Sequence, residues 1–316
     1  MNVIGGYFEL ELRKKNDYHS QAIQLNTGRN ALEYILLANT YSKVYLPYFT
    51  CDVLLEPLKK HKIAYEFYNI DKKFEPIFNF EKVQFNEVFL YTNYFGIKDV
   101  FIKKLTNHFK RIIIDNAQSF YSKPIKNIDT FYSARKFFGV PDGSYLYCNR
   151  KLDMFIDQDV SIERFSHLLK RIDISAENGY LDFVNNDKSL KNLPILGMSN
   201  ITRTLLKTID FKSIGKKRQV NFSFIHDKLK NHNKLEFEIS ENQVPMVYPF
   251  WSNNLDLKRI LQENKIYCAT YWPNVRDWAI PNSLETHLVD EVIYLPIDQR
   301  YNEEDMYLII KIVLNA

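Results

Sequence analysis

The chain has 316 residues, of which 46% are hydrophobic and 15% aromatic, enough for one large domain or for a large and a small one. Its net charge is +4, and its lysines are scattered along the chain rather than clustered in a basic block of the kind that binds nucleic acid. The sequence shows neither a signal peptide nor an apolar run of membrane-spanning length, and its histidines lack metal-binding spacing. Three widely spaced cysteines, Cys51, Cys148 and Cys268, suggest neither a disulfide framework nor a zinc ribbon. We therefore expect a soluble cytoplasmic protein without a bound metal.

Helical and strand-like stretches alternate through the first half of the chain. The helical ones are GRNALEYILLAN, CDVLLEPLKKHK, in spite of its Pro57, and IKDVFIKKLTNHFK. The strand-like ones are KVYLPYF, IAYEFYNI, EVFLYTNYFG and RIIIDNAQ, and TFYSARKFF and SYLYCNR are expected to add two strands or strand ends. Strand, helix and strand at this spacing predict βαβ units and a mainly parallel α/β sheet flanked by helices.

The pattern changes after about residue 160. Three helices are predicted, in SIERFSHLLKRIDI, ITRTLLKTIDF and KKRQVNFSFIHDKLKNHN. A smaller α+β region follows, with QVPMVYPFW, the helix NLDLKRILQENKI, the strand EVIYLPI and the final helix EEDMYLIIKIVLN. We predict a large α/β domain over residues 1–210 and a small C-terminal α+β domain over residues 211–316.

The segment LNTGRNAL, residues 25–32, places a glycine at the start of the first predicted helix. Backbone N–H groups and the helix dipole at such an end suit a phosphate, and Arg29 could add a charge-assisted contact. The same residues are also explained by a helix that Asn26 or Thr27 simply caps.

Asp115 follows three isoleucines at the carboxyl end of a predicted buried strand. Open α/β sheets bind ligands at that edge. A carboxylate there could pair with a protonated pyridine nitrogen, and Gln118 could reach a phenolic oxygen of the same ring. The alternative is that Asp115 caps the turn that follows.

Lys136 lies in SARKFFGVPDGS, between a predicted strand and a turn rich in Gly, Pro and Asp. Partial burial among aromatic residues would favour a nucleophilic amine, and Ser133 could donate to a phosphate. The turn would then leave space for the site. The alternative is a surface lysine whose stem packs on Phe137 or Phe138.

An anion cradle, a carboxylate for a pyridine nitrogen and a reactive lysine are together what pyridoxal phosphate (PLP) requires, in the order that fold type I PLP enzymes use. The chain resembles the DegT/StrS-type nucleotide-sugar aminotransferases, as a short or divergent member. NTGRNAL is similar to the family's N-S-G-T-x-A-L, IDNAQ to its E-D-A-A-Q, RKFFGVPDGS to its lysine segment, and YLPIDQRYNEEDM to its leucine-proline segment. The resemblance covers nearly the whole chain and implies the fold type I PLP transferase architecture.

The resemblance also implies residue roles and partners. Lys136 would bind the cofactor aldehyde as a Schiff base, Asp115 would pair with the pyridine nitrogen, and Gln118 would lie near the ring. The residues near the phosphate would be Gly28, Arg29, Asn30, Ser133 and, as the asparagine that the second subunit contributes, Asn200. Family members are homodimers with shared active sites, and they transfer an amino group, usually from glutamate, to a nucleotide-linked keto-sugar. The products enter surface polysaccharides and related sugars.

The chain departs from the family pattern close to the expected cofactor. Ser133 lies three residues before the lysine, whereas the family's serine lies five before it. Cys51 stands where an aromatic residue often stacks on the cofactor ring. The candidates to replace that ring are Tyr48, Phe49 and Tyr94.

Two alternatives therefore stay open. One is a catalytically silent relative that binds a sugar nucleotide or a partner protein. The other is a PLP aminotransferase for another small carbonyl compound. Relatives that carry histidine in place of the lysine are sugar dehydratases, an activity that the presence of Lys136 disfavours.

Overall fold

The computed structural model describes residues 4–13 and 15–316. The strands of the described chain, numbered in order, are β1 Ile23–Leu25, β2 Lys43–Pro47, β3 Ala64–Ile70, β4 Pro76–Ile77, β5 Glu87–Thr92, β6 Ile112–Asn116, β7 Asp129–Ser133, β8 Ser144–Tyr147, β9 Val247–Trp251 and β10 Val292–Pro296. The α-helices are α1 Gly28–Asn39, α2 Leu55–Lys60, α3 Asp99–His108, α4 Ser166–Asp173, α5 Ala176–Ser189, α6 Asn200–Leu206, α7 Phe211–Leu229, α8 Leu257–Glu263, α9 Val275–Trp278, α10 Leu284–Asp290 and α11 Glu303–Asn315. Within these described ranges, each helix is too short or too polar to cross a bilayer.

The first eight strands form one sheet in the order β1-β8-β7-β6-β5-β2-β3-β4. The five neighbours from β7 to β3 run parallel, and β8 runs antiparallel to both β7 and β1. Since β1 and β7 both oppose β8, β1 points the same way as the parallel strands. The carboxyl ends of β1, β2, β3, β5, β6 and β7 therefore meet at one edge of the sheet, where open α/β sheets bind ligands.

The sheet is buried on both faces, as its uninterrupted apolar strands require. In β6, Ile113 packs into a cluster with apolar residues of α1 and α2, whereas Ile112 and Ile114 pack into a second cluster on the other face. Successive side chains of a strand point to opposite faces, so the three consecutive isoleucines pack into the apolar clusters on both faces of the sheet.

The C-terminal part has its own antiparallel pair, β9 with β10, and α7 packs against both β9 and α11. One buried apolar cluster contains Tyr45 of β2, Phe211 of α7 and Val313 of α11. The predicted division at residue 210 falls between α6 and α7, but the core is continuous across it. Two separate domains thus stay a prediction.

The predicted mainly parallel α/β architecture is confirmed, and the predicted strands and helices of the first half are present at the expected segments. Pro57 is tolerated because it lies in the first turn of α2, where a backbone N–H needs no helical partner.

Three details differ from the prediction. TFYSARKFF is a strand only to Ser133 and continues as a 3-10 turn over Ala134–Lys136. ITRTLLKTIDF is not one helix, because α6 ends at Leu206 and α7 begins at Phe211. Helix α5 is absent from the sequence prediction, and it contains Gly179. A Cβ there would lie 2.9 Å from the backbone oxygen of His167, so this glycine permits the close approach of α4 and α5.

Candidate active site

Three of the candidate side chains lie at or just beyond the carboxyl ends of two adjacent strands. Asp115 is the fourth residue of β6, and Ser133 is the last residue of β7, the neighbouring parallel strand. Lys136 closes the 3-10 turn that continues β7. The topology thus brings together the carboxylate, the serine and the lysine that the sequence pattern singled out.

Asp115 is a buried carboxylate, 5% exposed. One of its oxygens accepts a hydrogen bond of 2.8 Å from the backbone N–H of Ala117. Burial raises the pKa of Asp115 to about 7, opposed by the Ala117 hydrogen bond and by the positive charge of Lys136. Asp115 and Lys136 therefore lie close enough to interact electrostatically, although they form no ion pair. By accepting the hydrogen bond from Ala117, Asp115 also caps the turn that follows β6, which was the alternative interpretation of this residue.

Gln118 lies one turn beyond Asp115 and is also buried. Its Oε1 accepts a hydrogen bond of 3.2 Å from the backbone N–H of Phe95. Its Nε2 is buried and has no hydrogen-bond partner among the described residues. A donor of this kind is costly unless a ligand accepts its hydrogen bond.

Lys136 is exposed, contrary to the partial burial expected from its aromatic neighbours. The phenylalanines that follow, Phe137 and Phe138, are buried instead, because the 3-10 turn directs them into the core and leaves the lysine outside. Its ammonium makes no hydrogen bond or ion pair to any residue in 4–13 or 15–316. The side chain lines a pocket of about 470 Å³.

The hydroxyl of Ser133 has no hydrogen-bond partner within the described part of the chain, and the residue is 9% exposed. It is thus free to donate to a ligand at the end of β7.

The start of α1 is held largely by its own side chains. Thr27 is the N-cap, since its hydroxyl accepts a hydrogen bond of 3.2 Å from the backbone N–H of Asn30. The side-chain amide of Asn30 donates to Glu33 and to the backbone oxygen of Leu193, each at 3.1 Å. The backbone N–H groups of Gly28 and Arg29 have no such partner in the described ranges.

Arg29 is 6% exposed and forms an ion pair of 2.7 Å with Glu56 of α2. Its charge is therefore already compensated within the chain, so a phosphate at the start of α1 would have to compete with Glu56. Of the predicted phosphate residues at α1, only the backbone groups of Gly28 and Arg29 remain free.

Asn26 was considered only as a possible helix cap, yet it is the most unusual polar residue of this edge. It is fully buried, and both atoms of its side-chain amide lack a hydrogen-bond partner among the residues that the structure describes. The hydroxyls of Thr50, which follows β2, and Thr92, which ends β5, are buried and unpartnered as well. No sequence pattern reveals this, because it depends on which partners the fold leaves out.

The turn after the lysine is packed rather than open. The backbone N–H of Gly143 donates to the backbone oxygen of Asn26 at 2.6 Å. Asp142 is fully buried and accepts hydrogen bonds from the backbone N–H of Ser199 at 2.8 Å and from the hydroxyls of Ser199 and Thr202. The turn thus ties the end of β1 to the start of α6.

Asn200 is the first residue of α6, directly after the N-cap Ser199. Its side chain is exposed and forms no hydrogen bond to the described part of the chain. The role of Asn200 as a cofactor ligand therefore stays a prediction.

The aromatic candidates occupy different environments. Phe49 and Tyr94 are fully buried, their rings are stacked at 5.8 Å, and the Tyr94 hydroxyl donates to the Phe49 backbone oxygen at 3.0 Å. Tyr48 stacks on Phe67 at 4.9 Å. Cys51 lies within the electrostatic influence of Lys136, yet burial raises the pKa of its thiol to about 11. Cys51 is therefore a neutral neighbour of the lysine rather than a nucleophile.

No family model matches the sequence, and no curated protein is similar to it in sequence. The fold, however, is similar to those of known structures. A DegT DnrJ EryC1 StrS aminotransferase from Brucella abortus superposes with a TM-score of 0.62 at 17% identity, over 93% of this chain and 85% of that one. A sugar aminotransferase from Micromonospora echinospora gives 0.61 at 12% identity, with 94% and 88% covered. The GDP-4-keto-6-deoxy-D-mannose-3-dehydratase of E. coli, with bound hydrated PLP, gives 0.62 at 13%, with 92% and 87% covered. The chain therefore has the fold of these proteins, and the predicted fold type I architecture is confirmed.

Proposed function

We propose that this chain is a PLP-dependent aminotransferase of the DegT/StrS type that transfers an amino group, from glutamate, to a nucleotide-linked keto-sugar. The observation that carries the proposal is Asp115, a buried carboxylate at the ligand-binding edge whose pKa burial raises to about 7, within the electrostatic influence of Lys136. The motifs quoted above and the shared fold support the same assignment.

The unpartnered polar groups of this edge fit the cofactor. Asp115 would hold the pyridine nitrogen, and the unpartnered Nε2 of Gln118 would donate to the ring oxygen. The groups that would hold the phosphate are the Asn26 amide, the backbone N–H groups of Gly28 and Arg29, and the Ser133 hydroxyl. The Asn26 amide is buried without a partner among the described residues, so a ligand contact would remove its desolvation cost. The other three groups donate no hydrogen bond within the described chain.

When bound, PLP supplies an electron sink for the bonds at the substrate carbon. The chain contributes two proton-handling groups. The Asp115 carboxylate would keep the pyridine nitrogen protonated, because a buried carboxylate and a cationic partner stabilise each other's charge. The Lys136 amine would hold the cofactor aldehyde and would serve as the group that moves a proton at the substrate carbon. Lys136 is exposed and lines the 470 Å³ pocket, which would give its amine access to a substrate.

The proposal includes a homodimer in the cytoplasm, with Asn200 contributed to the partner's site and products that enter surface polysaccharides. The hairpin of α4 and α5 supports a second copy, because large apolar side chains there are exposed, such as Ile172 at 84% and Leu181 at 68%. The three cysteines are free, which agrees with a reducing compartment.

A catalytically silent sugar-nucleotide binder is the second candidate. The ion pair between Arg29 and Glu56 favours it, because that pair removes one expected phosphate ligand. An aminotransferase for another small carbonyl compound would use the same cofactor residues.

An absorbance titration with PLP tests the proposal. The wild-type protein is expected to develop the visible band of a lysine-bound cofactor and to lose it on addition of glutamate. Lys136→Ala is expected to show no such band, whereas Lys123→Ala, which removes an exposed lysine elsewhere, should behave as wild type. If all three proteins gave the spectrum of free PLP, the silent binder would replace the enzyme.

A further inference from the structure

A pocket adjoins the cofactor edge at Lys136 and extends away from Asp115. The turn over residues 135–140, the helices α4 and α5, Arg218 of α7 and the loop over residues 298–300 form its walls. Asp115, Gln118 and Asn26 do not line it. Its volume of about 470 Å³ is in the range of small-molecule sites, about 300–1,000 Å³.

The pocket wall is strongly basic. Five cationic side chains line it against a single carboxylate, that of Asp298. Arg300 is neutralised by Asp298, with two hydrogen bonds of 2.7 Å, and Arg135 is neutralised by Asp187 at 2.8 Å. Three cations, Lys136, Arg171 and Arg218, have no carboxylate partner within residues 4–13 and 15–316.

Arg218 is the most buried of these cations, so the shortage of negative charge in the pocket destabilises its charged form most. It is only 2% exposed and donates to Gln299 Oε1 at 2.9 Å and to the backbone oxygen of Met246 at 3.0 Å, while its guanidinium lies 4.6 Å from the centre of the Phe137 ring. Burial lowers the pKa of Arg218 to about 10. The Asp298 carboxylate opposes this shift, but it is already paired with Arg300, so a bound anion would further stabilise the buried cation.

His167 adds an independent sign of a ligand. It is 7% exposed and lines the same pocket from α4, and its Nδ1 is buried with no hydrogen-bond partner among the described residues. The pocket therefore presents both uncompensated positive charge and an unused polar group.

We infer that this pocket binds an oxyanionic group of the substrate, with Arg171 and Arg218 supplying the charge. Among oxyanions, the diphosphate of a nucleotide-linked acceptor fits best. Arginine suits phosphoryl groups, the volume exceeds the need of a five-carbon dicarboxylate, and Tyr180 and Phe183 offer an apolar wall. The identity of the ligand rests on the proposed function, whereas the binding of an oxyanion does not. The carboxylates of the amino donor are the other source of the same chemistry.

Calorimetric titrations of the full-length protein test this inference. The probes are inorganic pyrophosphate, uridine diphosphate and 2-oxoglutarate. Arg171→Gln removes an exposed, unpaired cation of the pocket, so it should leave the fold intact, and Arg150→Gln removes an exposed arginine elsewhere as the matched control. Pyrophosphate and uridine diphosphate are expected to bind the wild type and to bind Arg171→Gln about tenfold or more weakly, since hydrogen bonds to charged groups are strong. Arg150→Gln should match the wild type.

The other outcomes are equally informative. If 2-oxoglutarate alone binds and is weakened by Arg171→Gln, the oxyanion site is supported and belongs to the amino donor. If no probe binds, or if both variants bind all probes as the wild type does, the inference is overturned.

The same preparations separate this inference from the proposed function. A glutamate-sensitive cofactor band without an Arg171 effect overturns the anion pocket alone. Anion binding that depends on Arg171, in a protein without the cofactor band, overturns the aminotransferase alone.

Discussion

The protonation of Asp115 makes the stability of the cofactor-free protein depend on pH in a calculable way. The pKa of Asp115 is raised from 3.8 to about 7, so the folded state binds this proton more tightly than the unfolded state does. The stabilising contribution is thus fully present below pH 3.8 and is lost as the pH rises through about 7. Each pH unit between these limits costs about 1.4 kcal/mol, which gives about 2 kcal/mol between pH 5.5 and pH 8.

Asp115→Asn removes this titration but keeps an oxygen that can accept the Ala117 N–H. The variant without cofactor is therefore expected to be more stable than the wild type at pH 8, by up to about 4 kcal/mol. The advantage should shrink by about 2 kcal/mol at pH 5.5. His19, whose pKa burial lowers to about 4, shifts stability in the opposite direction with pH, but both proteins share it and it cancels in the difference.

Urea unfolding of the two cofactor-free proteins at both pH values measures this difference, because the linear extrapolation gives each free energy of unfolding. With PLP added, the order should reverse, since only the wild type offers a carboxylate to the pyridine nitrogen. A pH-independent difference between the two proteins would refute the raised pKa and the role derived from it.

Two further substitutions test the architecture around the site. Gly143→Ala should lower the free energy of unfolding by about 2–4 kcal/mol, because φ is +117° and the added Cβ would lie 2.9 Å from a methyl group of α6. The control Gly139→Ala should change it by less than about 1 kcal/mol, because its Cβ would approach only a flexible leucine at 3.4 Å. Equal losses in the two variants would contradict the strain at Gly143. Arg29→Gln should cost about 3 kcal/mol, because Glu56 loses its cationic partner and keeps only the hydrogen bond from the Asn192 backbone N–H. Much of this loss should be recovered when Glu56→Gln is added. PLP titrations should show affinity reduced more by Asn26→Leu than by the double change, and the opposite order would assign the phosphate to Arg29.

Local sequence patterns predicted the framework of the site well. The isoleucine run predicted a buried parallel strand, which β6 confirms, and Asp115 lies near its carboxyl end as expected. The helix signal in GRNALEYILLAN matches α1 from Gly28 to Asn39, because its apolar spacing and its N-cap are both local features.

Contacts between distant segments could not be predicted in the same way. Arg29 looks free in sequence, but the fold places Glu56, 27 residues away, at 2.7 Å from it. Asn26 looks like a cap, and only the complete set of neighbours reveals its two unpartnered amide atoms. Lys136 was expected among aromatic side chains, and the 3-10 turn instead separates it from them.

Helix α5 and the basic pocket illustrate the same limit. Gly179 weakens the helical pattern of α5, yet it is what permits the close packing on α4. The pocket joins these helices to Arg218 and to the loop over residues 298–300, so no single stretch of sequence contains it.

The proposed function requires PLP to bind covalently to Lys136. Reduction of the PLP-treated wild-type protein with borohydride, followed by peptide mass spectrometry, tests it most directly, because reduction makes the lysine linkage permanent. We expect one stoichiometric cofactor adduct, on Lys136, and we expect prior addition of glutamate to block it. Adducts spread over exposed lysines such as Lys123, or an unmodified Lys136, would contradict it.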